Sequence, residues 1–297
     1  MTYIHAIGIH STVPDNALPD LKSELKAMSG KVYRRIDHFT QLAIIGAHKA
    51  VYDHELSPET AIYMVSGQGN ISVFDRVRDQ RHIQNQLPRP VDFINLLSNT
   101  AGFYVASHLG LEGKNLFLAH HRFPVQMTML AAQNDVKLGK QHAVLVGGVD
   151  EWIEKQELAK KLLGVEESTV LGEGSNWMMI GSDAKNAIGT FDMNPKALKK
   201  ELLLEYVAAL PQDTALAFST RFSSDDSSEL LQANTGCRRY AYESSCGYYE
   251  TLPLYVLNRF LTEEKGRLVH IDCSDGRYMV MNVDNSGFTP LNVEKER

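Results

Sequence analysis

The sequence predicts an α/β protein in which one pattern of strands and helices occurs twice. Short apolar runs typical of buried strands alternate with longer segments whose apolar residues recur at helical spacing. The order of these elements begins again near Ala187, in shorter form. With 297 residues, of which 43% are hydrophobic, the chain can bury a large core.

The first half begins with an apolar strand and reaches its first predicted helix near Asp37. A long polar connection, which includes DLKSELKAMSGKVYRR, separates the two, and Phe39, Leu42 and Ile45 then recur at near-helical spacing. The next helical segments end at Gly110, since glycine commonly terminates helices. The predicted strands are AIYMVSG, NLFLAHH, HAVLVGG and SNWMMIG, and the predicted helices lie in VDFINLLSNTAGFYVASHLG and FPVQMTMLAAQNDVKLG.

The second half repeats this order with shorter connections. Its predicted strands are AIGTFDM, TALAFST, RYAYES, GRLVHIDCS and RYMVMNV, and its predicted helices are ALKKELLLEYVAAL, SSDDSSELLQAN and CGYYETLPLYVLNRFLTEE. The repeated order, strand-helix-strand-helix-strand-helix-strand-strand, implies two related halves, residues 1–185 and 186–297, in one compact unit. The third helix of each half, from Phe123 and from near Gly247, is apolar on more than one face, so we expect both to be buried.

Composition disfavours several classes of function, although a local basic patch is not excluded. A net charge of -6 and a pI near 6.0 give no support for a nucleic-acid binder. The first residues, MTYIHAIGIHST, lack the pattern of a signal peptide, and no apolar run is long enough to span a membrane. The odd number and the spacing of Cys237, Cys246 and Cys273 favour reduced thiols over disulfides or a zinc site. We therefore expect a cytoplasmic protein without nucleic-acid or membrane partners.

A strand-to-helix turn in LFLAHHRFPVQMTML, residues 116–130, carries His120, His121 and Arg122. Such a turn is a favoured place for a nucleophile, because the helix N-terminus stabilises developing negative charge. The two imidazoles do not form an evident metal site, because adjacent side chains on a strand point to opposite faces. We therefore expect no metal at this turn.

Two passages resemble β-ketoacyl synthases of the thiolase fold. Residues 98–151 resemble the family's run of helix, Gly-Leu-x-Gly, strand, nucleophile elbow, buried helix and Gly-Gly strand, and residues 171–181, LGEGSNWMMIG, resemble its Gly-Glu-Gly segment. With the element order, this resemblance covers most of the chain, although the second half matches weakly. It implies duplicated βαβαβαββ halves in α/β/α/β/α layers, here with shortened loops.

The resemblance also implies that the catalytic residues are replaced. The family uses a cysteine on the elbow and two histidines, and these positions hold Arg122, Phe218 and Tyr248. Arginine cannot be acylated in this role, because its guanidinium stays protonated. The resemblance thus implies a chain with no catalytic residue and no cofactor. In one interpretation Arg122 places a fixed positive charge in the emptied nucleophile pocket, and in the other the turn is a polar part of an interface.

Within the ketosynthase relatives, the chain looks most like the chain length factors of type II polyketide synthases, and among them like the inactive partner subunit in aryl polyene synthesis. This resemblance implies pairing with an active ketosynthase, contact with acyl carrier protein through the complex, and a role in shaping the product tunnel. The expected interface residues are Asn115, Leu116, Phe117, Leu118, Ala119, His120 and His121, and the expected tunnel residues are Phe93, Leu96, Leu97, Arg122 and Phe123.

Two alternatives remain open at this point. One is an acyltransferase or thioesterase of the same fold that uses His121 or Cys246, since a thiol at a helix start can be activated. The other is a homodimeric acyl-binding module without a different partner. The charged run EWIEKQELAKK, residues 151–161, is interpreted as a solvated helix face.

Overall fold

Strands from both halves join into one continuous hydrogen-bonded path in the computed structural model, which describes residues 1–13, 19–120 and 122–289. The strands are β1 Thr2–Gly8, β2 Ser11–Thr12, β3 Ala61–Val65, β4 Asn115–Leu118, β5 Ala143–Asp150, β6 Glu173–Gly181, β7 Gly189–Met193, β8 Ala215–Phe218, β9 Arg238–Arg239, β10 Arg267–Ser274 and β11 Arg277–Asp284. The helices are α1 Leu21–Ser29, α2 His38–Val51, α3 Ile71–His82, α4 Pro90–Asn95, α5 Asn99–Leu109, α6 Pro124–Lys137, α7 Gln156–Leu163, α8 Lys200–Ala208, α9 Ser224–Ala233 and α10 Leu252–Glu263.

The two halves have the same strand order. The first half runs β4-β3-β5-β6-β1, with the short β2 beside β6, and the second half runs β9-β8-β10-β11-β7. In each half the first three strands in this order run parallel to one another. The fourth strand pairs antiparallel with both the third and the fifth strand. Antiparallel pairing of β1 with β7 connects the halves. The division at residue 185 stays a prediction.

The helices and the two five-stranded units form five layers, which the clusters of buried side chains define. The helices α1, α2 and α5 pack on the outer face of the first five-stranded unit, through residues such as Ile62 and Leu145. The helices α8 and α9 cover the outer face of the second unit at Leu216 and Val269. Between the two units lie α6 and α10, and each of them contacts strands of both halves. These are the two helices that the sequence predicts to be buried.

The charged stretch after residue 20, expected to be a polar connection, forms the helix α1. The Asp20 side chain accepts a hydrogen bond from the Ser23 amide at 3.1 Å, and Gly30 ends the helix in the left-handed conformation. The helix buries Leu21 and Leu25, which are four residues apart and so share one face. Because α1 has only two buried apolar residues among many charged ones, its sequence shows little apolar periodicity.

Three further elements differ from the expected ones. The helix α3 is not among the predicted elements, because it buries only Val73 and Gln80 and so has little apolar periodicity. The strand expected over residues 115–121 ends at Leu118. Of the segment RYAYES, only Arg239 belongs to a strand, the short β9, and the 3-10 helix Glu243–Ser245 follows it. These elements are short or polar, and tertiary contacts decide their form.

Close packing of the sheet around Trp177, in the outer core beneath α1, α2 and α5, gives a test of the fold. A Cβ added at Gly147 would overlap the fully buried Trp177 ring. We expect Gly147→Ala to lower the free energy of unfolding by about 1–3 kcal/mol, because a filled core resists added volume. Urea denaturation measures the change.

Gly287→Ala is the matched control, because a Cβ there meets no atom of the described residues within 4 Å. The control should change the free energy of unfolding by less than about 0.5 kcal/mol. Equal effects of the two substitutions would contradict the packing at Gly147.

Candidate functional site

The turn between β4 and α6 places Arg122 at the surface. Its side chain is half exposed, and its Nε lies 3.0 Å from Oδ2 of Asp275, in the turn between β10 and β11. The Nδ1 atom of His120 accepts hydrogen bonds from the backbone amides of Arg122 and Phe123, at 3.3 and 3.2 Å. His120 therefore stabilises the turn, and Arg122 pairs with an exposed carboxylate instead of filling a pocket. His121 lies outside the described residues.

A small cavity of about 10 Å³, enough for about one water molecule, lies beside this turn, between the ends of β8 and β10 and the start of α10. Tyr248, the second substituted histidine position, lines it. Phe218 does not face it, because its ring packs 5.3 Å from the Phe222 ring in the outer core. Successive residues of a strand point to opposite faces, so Ser219 lines the cavity in place of Phe218. The cavity is lined by Ser219, Thr220, Arg221, Tyr242, Tyr248, Glu250, Leu252, Pro253, His270 and Asp272.

Arg221 supplies the positive charge in this cavity, and its Nη2 atom donates a hydrogen bond to Oε1 of Glu250. Both side chains are largely buried, with exposed fractions of 20% and 12%. Burial raises the pKa of Glu250 to about 7, and the positive charge of Arg221 opposes this shift. The Nη1 atom of Arg221 also lies 3.5 Å from the Arg122 carbonyl oxygen. Sequence reasoning missed this ion pair, because its two residues are 29 positions apart.

Two more buried carboxyl groups, those of Asp150 and Glu151, lie at the end of β5. Asp150 accepts hydrogen bonds from the Ser66 hydroxyl and the amides of Gly67 and Thr251, at 2.7–2.8 Å. It thereby links β3 to the start of α10. Burial raises the pKa of Asp150, although these hydrogen bonds oppose the shift. The network fixes the loop after β3 against the central helix.

Glu151 is buried, whereas the sequence was interpreted as placing it on a solvated helix face. It has an exposed fraction of 2%, and the helix α7 begins only at Gln156. Its carboxylate accepts hydrogen bonds from the amide and the hydroxyl of Ser72, at 2.8–3.0 Å. Burial raises the pKa of Glu151 to about 7, and the bonds from Ser72 only partly offset this. A single charged run therefore contains both solvated and buried residues.

His270 and Asp272 point from β10 into the same cavity. Asp272 accepts hydrogen bonds from Nε2 of Gln126, on α6, at 2.9 Å and from the Cys273 amide at 2.8 Å. Burial lowers the pKa of His270 to about 4, so its imidazole is neutral at physiological pH. Among the described residues, none hydrogen-bonds to either ring nitrogen.

Cys246, the other candidate nucleophile, is not activated. It is half-buried, and its Sγ lies 3.7 Å from the Tyr242 carbonyl oxygen. Burial raises the pKa of this thiol to about 11, so it is protonated at neutral pH. Reactive cysteines have lowered pKa values, since the thiolate is the nucleophile.

A second, larger cleft of about 170 Å³ opens between α4, α5 and β4. Two expected tunnel residues, Leu96 and Leu97, line it, together with Phe117 of the expected interface. The other expected tunnel residues lie elsewhere: Phe93 is exposed on α4, and Phe123 is buried in the central core. The cleft is lined by Phe39, Thr40, Gln68, Gly69, Asn70, Phe74, Asn95, Leu96, Leu97, Ser98, Ala101 and Phe117.

The expected interface segment forms one end of the sheet path. In the described part of the chain, β4 pairs with β3 alone. Asn115, Ala119 and His120 are exposed, whereas the three residues Leu116–Leu118 are half-buried. Several large apolar side chains on α3, α4 and α5 and in the segments that follow them are also exposed: Phe74, Ile83, Leu87, Phe93, Ile94, Leu97 and Phe103.

Within residues 1–13, 19–120 and 122–289, no group of three or more His, Cys, Asp or Glu side chains is placed to hold a metal ion. In the same part of the chain, no helix is long and apolar enough to cross a membrane. The expected absence of a metal or cofactor stays a prediction.

No family model and no curated protein matches the sequence, but solved structures match its fold. The ishigamide ketosynthase/chain length factor has a TM-score of 0.73 at 13% identity, covering 96% of this chain and 99% of that one. The AntDE:AntF complex, a type II polyketide synthase acyl-carrier protein with its ketosynthase bound to the hexaketide, gives 0.64 at 12% identity, with coverage of 96% and 99%. A β-ketoacyl synthase from Burkholderia phymatum STM815 gives 0.65 at 11%, again with 96% and 99%. The chain therefore has the layered, thiolase-like α/β fold of ketosynthases, and the predicted fold class is confirmed.

The buried Glu151 carboxyl predicts a pH-dependent stability. Its pKa is about 7 in the folded chain and near 4.5 when unfolded, so the folded state binds more protons between these values. The free energy of unfolding of the wild type should therefore fall as pH rises through this window. We expect Glu151→Gln to reduce this loss by about 2–3 kcal/mol, measured by urea denaturation from pH 4.5 to 7.5.

Glu154→Gln is the control, because this nearby glutamate is exposed. It should leave the pH dependence of the wild type unchanged. An unaltered pH dependence in Glu151→Gln would show that Glu151 is not a buried acid.

Proposed function

We propose that this chain is a non-catalytic, chain-length-factor-like subunit that pairs with an active β-ketoacyl-ACP synthase and shapes its product tunnel. The observation that carries the proposal is Arg122, which stands at the nucleophile elbow of a ketosynthase fold and cannot be acylated. The protonated thiol of Cys246 adds support, since it disfavours the enzyme alternative that relies on this residue. The partner supplies the thioester chemistry that this chain lacks.

The edge strand β4 and its surroundings support the proposed pairing. An unpaired strand edge favours association with another strand, and pairing there continues the sheet into a second subunit. The exposed Phe103 lies on α5, which contacts β4, and Gly102 packs directly against Asn115. Exposed aromatic and aliphatic side chains beside a free edge are typical of a protein interface. The homodimer alternative uses the same surface and differs only in the partner.

The cleft at β4 supports a role in product length. Phe117 lies on the edge strand and also lines the cleft, so the cleft adjoins the proposed interface. A growing acyl chain, attached to the partner subunit as a thioester, can enter this cleft when the two subunits pair. Side-chain size at Leu96 and Leu97 then limits the space for the product. Phe93, Arg122 and Phe123 are not assigned to this cleft.

The same proposal covers the carrier-protein contact, the two halves of the chain and the biosynthetic setting. The chain contacts acyl carrier protein through the complex, and its two halves meet near residue 185. An aryl polyene system is the proposed setting, based on the small size of the chain and the substitution of all three catalytic positions. Co-purification with ketosynthases encoded in the same gene neighbourhood tests this setting.

The interface is tested by introducing a charge beside β4. Phe103 has an exposed fraction of 63%, so Phe103→Asp should leave the fold intact. Burial of an unpaired carboxylate at a protein interface is unfavourable, and we expect at least a tenfold weaker complex with the co-expressed ketosynthase, or about 1.4 kcal/mol. Size-exclusion chromatography and a binding titration measure the loss.

Leu202→Asp is the matched control, because Leu202 has an exposed fraction of 52% but lies on α8, in the outer layer of the second half. It should leave the complex unaffected. Equal complexes with both variants would reject the β4 surface as the interface, and a strict homodimer that ignores every ketosynthase would reject the proposed partner.

The tunnel is tested at Leu97, which is exposed in the isolated chain and lines the cleft. In the reconstituted complex, Leu97→Ala should shift the products to greater length without abolishing turnover, because a smaller side chain leaves more space. Mass spectrometry of the products measures the length distribution.

Ile94→Ala is the control, since Ile94 is similarly exposed at 53% on the preceding helix and lies outside the cleft lining. It should not change product length. An unchanged distribution for Leu97→Ala in an active complex would remove the cleft from the tunnel.

A further inference from the structure

A pocket on the surface of the first half contains four basic side chains. It lies between α1 and the loop that leads to α2, and its volume is about 120 Å³. One water molecule needs only about 10–15 Å³, so this pocket has room for a ligand of several heavy atoms. The basic residues of its lining are Lys22 and Lys26 on α1 and Lys31 and Arg35 on the loop.

The positive charge of this pocket is not balanced within it. In the described part of the chain, no carboxylate belongs to the lining. The acids nearby in sequence have partners of their own: Glu24 pairs with Lys49 at 2.8 Å, and Asp37 accepts a hydrogen bond from the Thr40 amide at 2.9 Å. Four like charges therefore surround one small volume, although the whole chain has a net charge of -6. Such a concentration of charge attracts an anion.

Hydrogen bonds to α4 and α5 hold the loop of this pocket in place. On α5, the His108 carbonyl oxygen accepts from Nζ of Lys31 at 3.2 Å, and Nδ1 of the same histidine shares a hydrogen bond of 2.6 Å with the Tyr33 hydroxyl. On α4, Nδ2 of Asn95 donates to the Arg35 carbonyl oxygen at 3.2 Å. Arg35 itself has the left-handed conformation, with φ 65°. The cations of the loop therefore extend from a fixed backbone.

The rest of the lining is mainly apolar and belongs to the same two elements. Leu25 on α1 is buried, whereas Val32 on the loop has an exposed fraction of 63%. Ile36, also in the lining, is half-buried. An inorganic anion leaves this apolar surface in water, whereas the organic part of a larger ligand covers it, and removing apolar surface from water is favourable. The lining therefore suits a ligand with an anionic group and a small apolar group.

We propose that this pocket binds a small organic phosphate, a phosphomonoester whose organic part packs against Val32. The phosphate group is bound by Lys22, Lys26, Lys31 and Arg35. It carries a charge of about -1.5 to -2 at pH 7 and three acceptor oxygens, so it can engage several cations at once. The guanidinium of Arg35 can pair with two of these oxygens, and the lysines act as point charges. The proposal is independent of the ketosynthase partner, because every residue of the site belongs to this chain.

The test is titration of the full chain with phenyl phosphate, followed by calorimetry and by the phosphorus-31 NMR signal of the ligand. We expect a dissociation constant of about 1 mM or lower. Inorganic phosphate should bind at least about threefold more weakly, because it covers no apolar surface. Lys22→Glu combined with Lys26→Glu should weaken the binding of phenyl phosphate at least about tenfold, because each substitution replaces an attraction by a repulsion.

Lys185→Glu combined with Lys196→Glu is the matched control, because both lysines are exposed and the net charge changes equally. This variant should bind phenyl phosphate like the wild type. Equal weakening in the two double variants, or inorganic phosphate bound as tightly as phenyl phosphate, overturns the proposal.

A pocket that accepts only an acidic protein surface would leave phenyl phosphate unbound at about 10 mM, which also overturns the proposal. If the variant at Lys22 and Lys26 fails to fold, the salt dependence of the wild type decides. The Debye length falls from about 30 Å to about 3 Å between 0.01 M and 1 M salt, so the affinity should fall at least about tenfold over this range. An affinity that does not change with salt overturns the proposal.

Discussion

Burial of α6 and α10 between two sheets is the constraint on which the rest of the structure depends. Each of these helices contacts strands of both halves, so every polar group near its N-terminus needs a partner from another element. Gln126 on α6 meets Asp272 on β10, and the Thr251 amide before α10 meets Asp150 on β5. The polar site of the molecule is therefore a consequence of the layering.

The same constraint explains why the candidate site is crowded with ion pairs. A ketosynthase fold brings the elbow, the end of β8 and the start of α10 to one place. In this chain Arg122 turns outward to Asp275, and Arg221 pairs inward with Glu250. A buried charge without a partner is costly, so the substitution of one residue by a charged one requires its counterpart nearby.

The cleft beside β4 and the cavity around Arg221 lie in different halves of the molecule and have different linings. The cleft adjoins the free edge of the first half, where exposed Phe103 and Leu97 favour contact with another protein. The cavity lies within the second half, and its charged lining residues include Arg221, Glu250 and Asp272.

Much of the fold was determined by the sequence itself. Apolar runs such as AIYMV and HAVLVGG specified buried strands, Asp37 and Gly110 marked helix ends, and the repeated order specified two related halves. These signals are local, because periodicity and capping depend on residues a few positions apart. The predicted substitution at the elbow also follows from sequence, since Arg122 can be read directly from the motif.

The tertiary structure alone decided which side chains meet. Phe218 faces the outer core and leaves Ser219 in the cavity, Glu151 is buried by the loop at Ser72, and Arg221 pairs with a residue 29 positions away. The face to which a strand residue points, and the distant residue with which it forms an ion pair, depend on the register of the sheet and on the packing of the layers. Neither leaves a periodic trace in the chain, so these contacts could not be predicted from the sequence.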